Sequence, residues 1–169
     1  IGGVILFDET IRQKTTLGPT VPELILKQGA IPGIKVDKGL ASFLNESSEE
    51  SITKGLDGLD KRCKEYFSLG AKFTKWRAVI KISNDIPTDE CIHANMEALA
   101  RYAKIVQNNN MVPMVEPEVL MDGAHSIDDC YDATSRCLES LFSNLTDRGV
   151  DITGTILKPN MVTSGSKAS

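Results

Sequence analysis

Charged and polar residues stand at the ends of four apolar runs, as pairs two positions apart. The pairs are Lys35 with Asp37, Lys75 with Arg77, Glu116 with Glu118, and Lys158 with Asn160. Side chains alternate along a strand, so both members of each pair are predicted to point to the same face. Enclosing so many charges is costly unless they pair with one another, so stability alone explains the set poorly.

The residue types in this set suit covalent chemistry on an anionic carbonyl compound. A lysine that is crowded by other cations and partly removed from water has a lowered pKa. Its uncharged amine can then attack a carbonyl carbon and form a Schiff base. Neighbouring carboxylates can move the protons that this step requires, and the remaining lysine and arginine side chains suit a phosphorylated substrate.

Several other functions lack support in the sequence. The only histidines, His93 and His125, share no ligand spacing with the carboxylates, so no metal site is predicted. Neither a P-loop motif nor a strand-borne G-x-G-x-x-G is present. The net charge of −4 differs from the positive charge that is typical of proteins that bind nucleic acid. No apolar run approaches the ~20 residues of a membrane span.

Five apolar runs rich in Val and Ile are predicted to be the strands that position these pairs. They are Gly3–Phe7, Ile31–Val36, Phe73–Ile82, Met111–Val115 and Gly154–Leu157. The polar stretch Leu40–Ser51 is predicted to be a loop that follows the second strand. At this length of 169 residues, with 41% hydrophobic residues, the chain can bury a sizeable core.

Helical periodicity fills most of the sequence between these strands. A short helix is predicted from Pro22 to Gln28, and a second has Leu56, Leu59, Cys63 and Tyr66 on its apolar face and ends near Gly70. A third begins near Thr88. A fourth begins at the capping box of Ser126 to Asp129 and stops near Gly149. All four cysteines fall in helical segments, so they are predicted to be reduced, buried thiols in a reducing compartment.

The alternation of strands and helices predicts an α/β fold with a parallel sheet of right-handed βαβ units. Two architectures fit: a doubly wound open sheet and a (β/α)8 barrel. Five strands are too few to close a barrel, which needs eight. In either case active sites lie at the carboxyl ends of the strands, where the charged pairs stand.

At these residues the sequence closely resembles class I fructose-1,6-bisphosphate aldolase. The similarity runs in family order from Ile1 to about Thr163. The matching stretches are IGGVILF with ET two residues on, GIKVDKG, KGLDGLDKRC, FTKWRAVIKI, ALARYAKIVQ, MVPMVEPEVLMDG and GTILKPNMVT. The resemblance implies a (β/α)8 TIM barrel, of which this chain holds about five βα units, and the reversible cleavage of fructose 1,6-bisphosphate to dihydroxyacetone phosphate and glyceraldehyde 3-phosphate.

The resemblance also implies roles for individual residues. Lys158 would form the Schiff base with C2 of the ketose, and Glu116 would be the general acid and base in forming it. Lys75 would contact substrate and favour the uncharged amine of Lys158, while Glu118 would pair with cations and tune the site. No metal and no cofactor is implied beyond the covalent bond on Lys158.

The substrate-binding residues follow from the same motifs. Lys35 would bind a hydroxyl or phosphate group of the substrate, and Arg77 would bind nearby. Asp37, two positions after Lys35, completes this substrate-binding set. Asp8 stands where many relatives have His, and the loop near Asn45–Ser51 is about one residue longer, but neither departure touches the catalytic set.

The family chain is about twice as long as this one, which bears on the activity expected. Residues 1–169 are expected to be a partial barrel that lacks the first strand, the last two strands and the C-terminal tail. The isolated stretch would then be inactive, and the alternative function is a catalytically incomplete fragment that acts only as a binding module. A related Schiff-base aldolase for another sugar phosphate is a third interpretation.

The resemblance further implies partners and a location. Family members are commonly homotetramers, and some bind cytoskeletal and adhesin proteins through charged surfaces. The absence of a signal peptide and of an apolar span predicts a cytoplasmic protein.

Overall fold

Seven strands make up the β-structure of this chain, in a computed structural model that describes residues 1–168. They are β1 (Gly3–Leu6), β2 (Ile31–Lys35), β3 (Leu40–Ser42), β4 (Ser51–Thr53), β5 (Phe73–Ile80), β6 (Val112–Val119) and β7 (Ile156–Leu157). Five of them form a parallel sheet in the order β1-β2-β5-β6-β7. The sheet therefore follows chain order without the reversal of a doubly wound fold, which favours the barrel architecture.

Five α-helices connect the strands. They are α1 (Asp8–Ile11), α2 (Val21–Lys27), α3 (Leu59–Ser68), α4 (Asp89–Asn108) and α5 (Ile127–Asp147), with a 3₁₀ turn over Ile152–Gly154. The four predicted helices correspond to α2, α3, α4 and α5. No helix of the described residues is long and apolar enough to cross a membrane.

Local sequence signals account for where the long helices begin and end. The Thr88 side chain accepts a hydrogen bond from the Cys91 amide at the start of α4. The capping box predicted at Ser126 and Asp129 is present at the start of α5. Gly70 and Gly149 follow α3 and α5 with φ of +107° and +61°, a backbone conformation that glycine adopts without steric cost.

The segment predicted to be a polar loop contains a small hairpin instead. Strands β3 and β4 pair antiparallel, with Leu40 opposite Thr53 and Ser42 opposite Ser51. Each strand is only three residues long and half of the six residues are polar, so the usual strand signal is missing. Contacts with α4 stabilise the hairpin instead: the buried Glu50 accepts hydrogen bonds from the Thr88 amide and hydroxyl at 2.7 and 2.8 Å.

The hydrophobic core lies between the sheet and the helices. On β5, Trp76, Ala78 and Ile80 are buried, whereas Lys75 and Arg77 alternate with them on the opposite face. Trp76 packs on Tyr102 of α4 with ring centroids 5.3 Å apart. The alternation thus leaves the charged residues together on the face of the sheet that the helices do not cover.

All four cysteines are free and buried, as their positions in helices predicted. Burial raises the pKa of the Cys63 thiol to about 11 and of the Cys137 thiol to about 12. These thiols are therefore packing groups that stay protonated near neutral pH.

Candidate active site

The strands of the parallel sheet bring the charged residues to one end. In the sheet register Lys35 lies opposite Lys75, and Arg77 lies opposite Glu116. Lys158 follows β7 directly, and its amide donates to the Val115 carbonyl at 2.9 Å. The predicted pairs from β2, β5 and β6, together with Lys158 after β7, therefore meet at the carboxyl end of the sheet, where active sites of parallel α/β folds lie.

Glu116 stands between two lysines at the centre of this cluster. Lys75 Nζ lies 2.6 Å from its Oε2, and Lys158 Nζ donates a hydrogen bond to its Oε1. The side chain of Glu116 is only 5% exposed, that of Lys75 14% and that of Lys158 53%. A shielded carboxylate thus contacts two amines, one enclosed and one open to an incoming molecule.

The surroundings of Glu116 keep it ionised. Burial by itself raises the pKa of this carboxyl, but the contacts with Lys158 and Lys75 act in the opposite direction and outweigh burial. The net result is a pKa of Glu116 below its ordinary value. A carboxylate in this state, in contact with an amine, is placed to accept and return a proton.

A second ion pair lies beside this centre, at the end of β2. Lys35 Nζ pairs with Asp37 Oδ1, and the Asp37 side chain is only 4% exposed. The other Asp37 oxygen accepts a hydrogen bond from the Arg77 amide at 3.3 Å. Asp37 therefore links the ends of β2 and β5 and orients the Lys35 ammonium.

Arg77 and Glu118 form the third pair, nearer to solvent. Their side chains are 39% and 30% exposed, and the Arg77 Nε donates to Glu118 Oε2. The hydrogen bond with Glu118 raises the pKa of Arg77, so this guanidinium is a permanent cation. Together, the two ion pairs and the centre at Glu116 hold four cations and three carboxylates, a net charge of +1 that suits an anionic ligand.

Asn160 does not join the charged cluster, although strand alternation predicted that it would share a face with Lys158. Its side chain bonds instead to the Val119 amide at the end of β6 and to Thr134 on α5. The alternation fails here because β7 ends at Leu157 and Pro159 follows Lys158, so no regular strand continues to Asn160.

Two further residues, which the sequence analysis did not predict, stabilise the site through hydrogen bonds to backbone carbonyls. Arg62 on α3 donates to the Val36 carbonyl at 2.9 Å and also to the Gly55 carbonyl. Thr53 Oγ1 donates to the Arg77 carbonyl at 2.8 Å. Arg62 lies within the KGLDGLDKRC motif, which is the one signal that could have indicated it, whereas the contact of Thr53 depends on the unpredicted hairpin.

A cavity of about 410 Å³ adjoins the ion pair of Lys35 and Asp37. Its lining includes Lys38, Arg62 and Tyr66, and the pKa of nearby Asp8 is held below its ordinary value by hydrogen bonds from Arg12 and Tyr66. The cavity gives an extended ligand room next to the charged cluster.

The two histidines lie outside the cluster. His93 is exposed on α4, and His125 is buried just before α5. Among residues 1–168 no group of three or more His, Cys, Asp or Glu side chains is placed to hold a metal ion.

Comparison with known proteins identifies the family. The family model for glycolytic, class I fructose-bisphosphate aldolase matches residues 1–169. The chain is 56% identical over 165 residues to a probable fructose-bisphosphate aldolase class 1 of Xanthomonas axonopodis pv. citri, covering 98% of this chain and 49% of that one. It is 51% identical over 166 residues to the cytosolic fructose-bisphosphate aldolase 4 of Arabidopsis thaliana, covering 98% and 42%.

A solved structure extends this similarity to three dimensions. Fructose-bisphosphate aldolase of Plasmodium falciparum, in complex with TRAP and a small-molecule inhibitor, superimposes with a TM-score of 0.95 at 48% identity. The match covers 99% of this chain and 49% of that chain, so the chain spans about half the length of the relatives that it matches. The parallel sheet thus corresponds to part of an aldolase TIM barrel, and the chain belongs to the class I fructose-bisphosphate aldolase family.

Proposed function

We propose that the protein is a metal-independent aldolase that reversibly cleaves fructose 1,6-bisphosphate to dihydroxyacetone phosphate and glyceraldehyde 3-phosphate. The observation that carries this proposal is the contact of the enclosed Glu116 carboxylate with both Lys75 and Lys158. It supplies a nucleophile and a proton acceptor at the end of the sheet where TIM-barrel enzymes act. Membership of the aldolase family points to the same chemistry.

The proposed reaction begins at Lys158. Its ammonium group transfers a proton to Glu116, and the resulting amine adds to the C2 carbonyl of the ketose, forming a carbinolamine. Glu116 returns the proton to the hydroxyl at C2, which leaves as water, and the C=N bond forms. The protonated imine accepts the electron pair of the C3–C4 bond when the C4 hydroxyl gives its proton to the Glu116 carboxylate. The aldehyde then departs, an enamine remains on Lys158, and the protonated Glu116 holds the proton that C3 needs. Protonation at C3 and addition of water then release dihydroxyacetone phosphate and restore the lysine.

The other charged residues hold the substrate and balance charge. Lys75 faces Glu116 throughout, so it neutralises the charge of this carboxylate. Lys35 and Arg77 bind the phosphate and hydroxyl groups of the substrate. These groups then replace part of the contact of Lys35 with Asp37 and of Arg77 with Glu118. No cofactor takes part beyond the covalent bond on Lys158.

We further propose that the sheet belongs to a closed eight-stranded barrel, to which strands before β1 and after β7 contribute. Residues 1–169 would then be a partial barrel domain of a cytoplasmic homotetramer. The cytosolic Arabidopsis relative and the TRAP complex of the Plasmodium aldolase support a cytoplasmic location and a role for protein partners.

One observation favours a second candidate function, that of a binding module without catalysis. Within the part of the chain that the structure describes, β1 and β7 each pair on one side only. Exposed apolar side chains lie near these edges, among them Ile5, Phe7 and Ile156. Open strand edges pair readily with other chains. An 18.4 kDa protein without cleavage activity would favour this function over the enzyme.

Substitution of Lys158 tests the enzymatic function. The intact protein carrying Lys158→Met should lose cleavage of fructose 1,6-bisphosphate by about a thousandfold or more, because no other group replaces the nucleophile. Lys64→Met is the matched control, since Lys64 is exposed and pairs only with Asp60. A coupled assay of triose phosphate, run also with fructose 1-phosphate, measures rate and substrate choice. Full activity of Lys158→Met would disprove the proposed mechanism.

A further inference from the structure

The strand that carries Lys158 ends unusually early. Strand β7 pairs with β6 only at Met114–Ile156 and Val115–Leu157, and the last regular bond is that of the Lys158 amide. Pro159 and Pro117 have no N–H group, so the hydrogen-bond ladder between the two strands cannot continue in regular form. Lys158 would therefore stand at a free strand end if nothing else fixed the chain.

Beyond the last regular bond between β6 and β7, the Asn160 side chain makes the next hydrogen bond to β6. Its Oδ1 accepts a hydrogen bond from the Val119 amide at 3.1 Å, the group that a longer β7 would otherwise satisfy. Its Nδ2 donates to the hydroxyl of Thr134, a buried residue of α5, at 3.2 Å. The Asn160 carboxamide, two residues after Lys158, therefore joins the chain by hydrogen bonds to both β6 and α5.

We propose that Asn160 is a positioning residue for Lys158, an inference that rests on the aldolase function proposed above. The Lys158 side chain is 53% exposed and its Nζ contacts only Glu116 among the described residues, so its backbone anchor decides where the amine lies. Val119 directly follows Glu118 on β6, and the Asn160 bond therefore keeps the end of β7 in register with the strand that carries Glu116. A small displacement of a reacting amine costs up to about a hundredfold in rate.

The test compares the intact protein with three variants. Asn160→Ala removes these two bonds and the local bond from Nδ2 to the Met161 carbonyl, and Asn160→Asp keeps an acceptor for the Val119 amide and for the Thr134 hydroxyl. Asn109→Ala is the matched control, because the Asn109 carboxamide also bonds one side chain, of Asp60, and one carbonyl, of Ile105, at the distant end of α4. Four quantities are measured: kcat and KM for cleavage, the rate of amide hydrogen exchange at Val119, and the acetylation of Lys158 by acetic anhydride relative to Lys64.

Asn160→Ala should lower kcat about tenfold or more while KM changes less, because the amine is displaced but the phosphate-binding residues are not. Its Val119 amide should exchange about fivefold faster, the equivalent of one lost hydrogen bond. The relative acetylation of Lys158 should change as well. Asn160→Asp should restore the protection of Val119, and Asn109→Ala should lower thermal stability without changing kcat.

Unchanged kcat and unchanged Lys158 acetylation in Asn160→Ala would overturn the inference, even if Val119 exchanges faster, since Asn160 would then be structural only. If Asn160→Ala does not fold, Thr134→Val removes one of the two bonds and should give a smaller loss of kcat; no loss would overturn the inference. If the wild-type protein neither cleaves substrate nor forms an adduct, the proposed function fails. Acetylation of Lys158 and exchange at Val119 then still decide whether Asn160 positions this lysine.

Discussion

At the scale of single residues, the site depends on the competition between burial and pairing at Glu116. Removing a carboxylate from water favours its protonated form, whereas two adjacent lysines favour its ionised form. Pairing prevails, because the pKa of Glu116 is lowered although its side chain is only 5% exposed. An ionised carboxylate in contact with the exposed amine of Lys158 is the state that proton transfer requires.

Glu116→Gln should therefore lower kcat for cleavage by about a hundredfold or more at neutral pH, the contribution expected of a positioned general base. Glutamine keeps the shape of the side chain but cannot take a proton from Lys158. Glu118→Gln is the matched control, because it changes a carboxylate on the same face of the same strand that pairs with Arg77 instead. Steady-state kinetics of both variants measure the difference, and equal losses of kcat would contradict a special role for Glu116.

The same carboxylate makes stability depend on pH. Its folded-state pKa lies below the unfolded value of about 4.5, so its contribution is complete above that pH and is lost as pH falls through the folded pKa. The melting temperature of the wild type should therefore fall more steeply below about pH 4.5 than that of Glu116→Gln. Parallel curves of melting temperature against pH for the two proteins would show that Glu116 contributes nothing to this dependence.

At the scale of elements, helices and parallel strands could be predicted because their signals are local. Thr88 and the Ser126 capping box mark helix starts, and runs of Val and Ile mark the buried strands. The alternation of side chains along the strands also predicted that four residues lie together at the carboxyl end of the sheet: Lys35, Lys75, Glu116 and Lys158. The β3–β4 hairpin could not be predicted, because Glu50 and other polar groups fix it through bonds to α4 that only the folded chain forms.

The position of Asn160 shows a second limit of sequence patterns. The alternation of side chains holds only along a continuous strand. It failed at Asn160 because β7 ends at Leu157 and Pro159 keeps the strand from continuing. Arg62 was missed for a related reason: its partners are the carbonyls of Val36 and Gly55, and backbone acceptors leave no trace in residue types.

The two hydrogen bonds from Arg62 to backbone carbonyls hold the segment that carries Lys35 and Asp37. Arg62→Lys should raise KM for fructose 1,6-bisphosphate about fivefold, or ~1 kcal/mol, because a lysine cannot reach both carbonyls that hold the segment of Lys35 and Asp37. Its effect on kcat should be smaller, since Lys158 and Glu116 are held by other elements. Arg101→Lys, at an exposed arginine of α4, is the control. Steady-state kinetics that gave an unchanged KM for Arg62→Lys would refute this role of Arg62.

At the scale of the whole molecule, the parallel sheet has two open edges. Among residues 1–168, β1 and β7 each pair with one strand only, and Phe7 and Ile156 are exposed beside them. In the proposed barrel these edges are covered by further strands, whereas in the 169 residues alone they would present unpaired backbone groups to water.

The 169 residues expressed by themselves should therefore self-associate and lack cleavage activity. Open edges favour pairing between chains, and the proposed substrate site would lack part of its barrel. Sedimentation velocity over a range of concentrations measures the association, and thermal unfolding measures cooperativity. A monomer that melts cooperatively would contradict this prediction.

Every step of the proposed cleavage depends on a covalent bond between Lys158 and the substrate. The most direct measurement is the mass of the intact protein after borohydride reduction in the presence of fructose 1,6-bisphosphate, followed by peptide mapping. We expect one reduced sugar-phosphate adduct per chain, located on Lys158, and none in Lys158→Met. Cleavage of the bisphosphate without any adduct, or an adduct on Lys75 with Lys158 unmodified, would contradict this expectation.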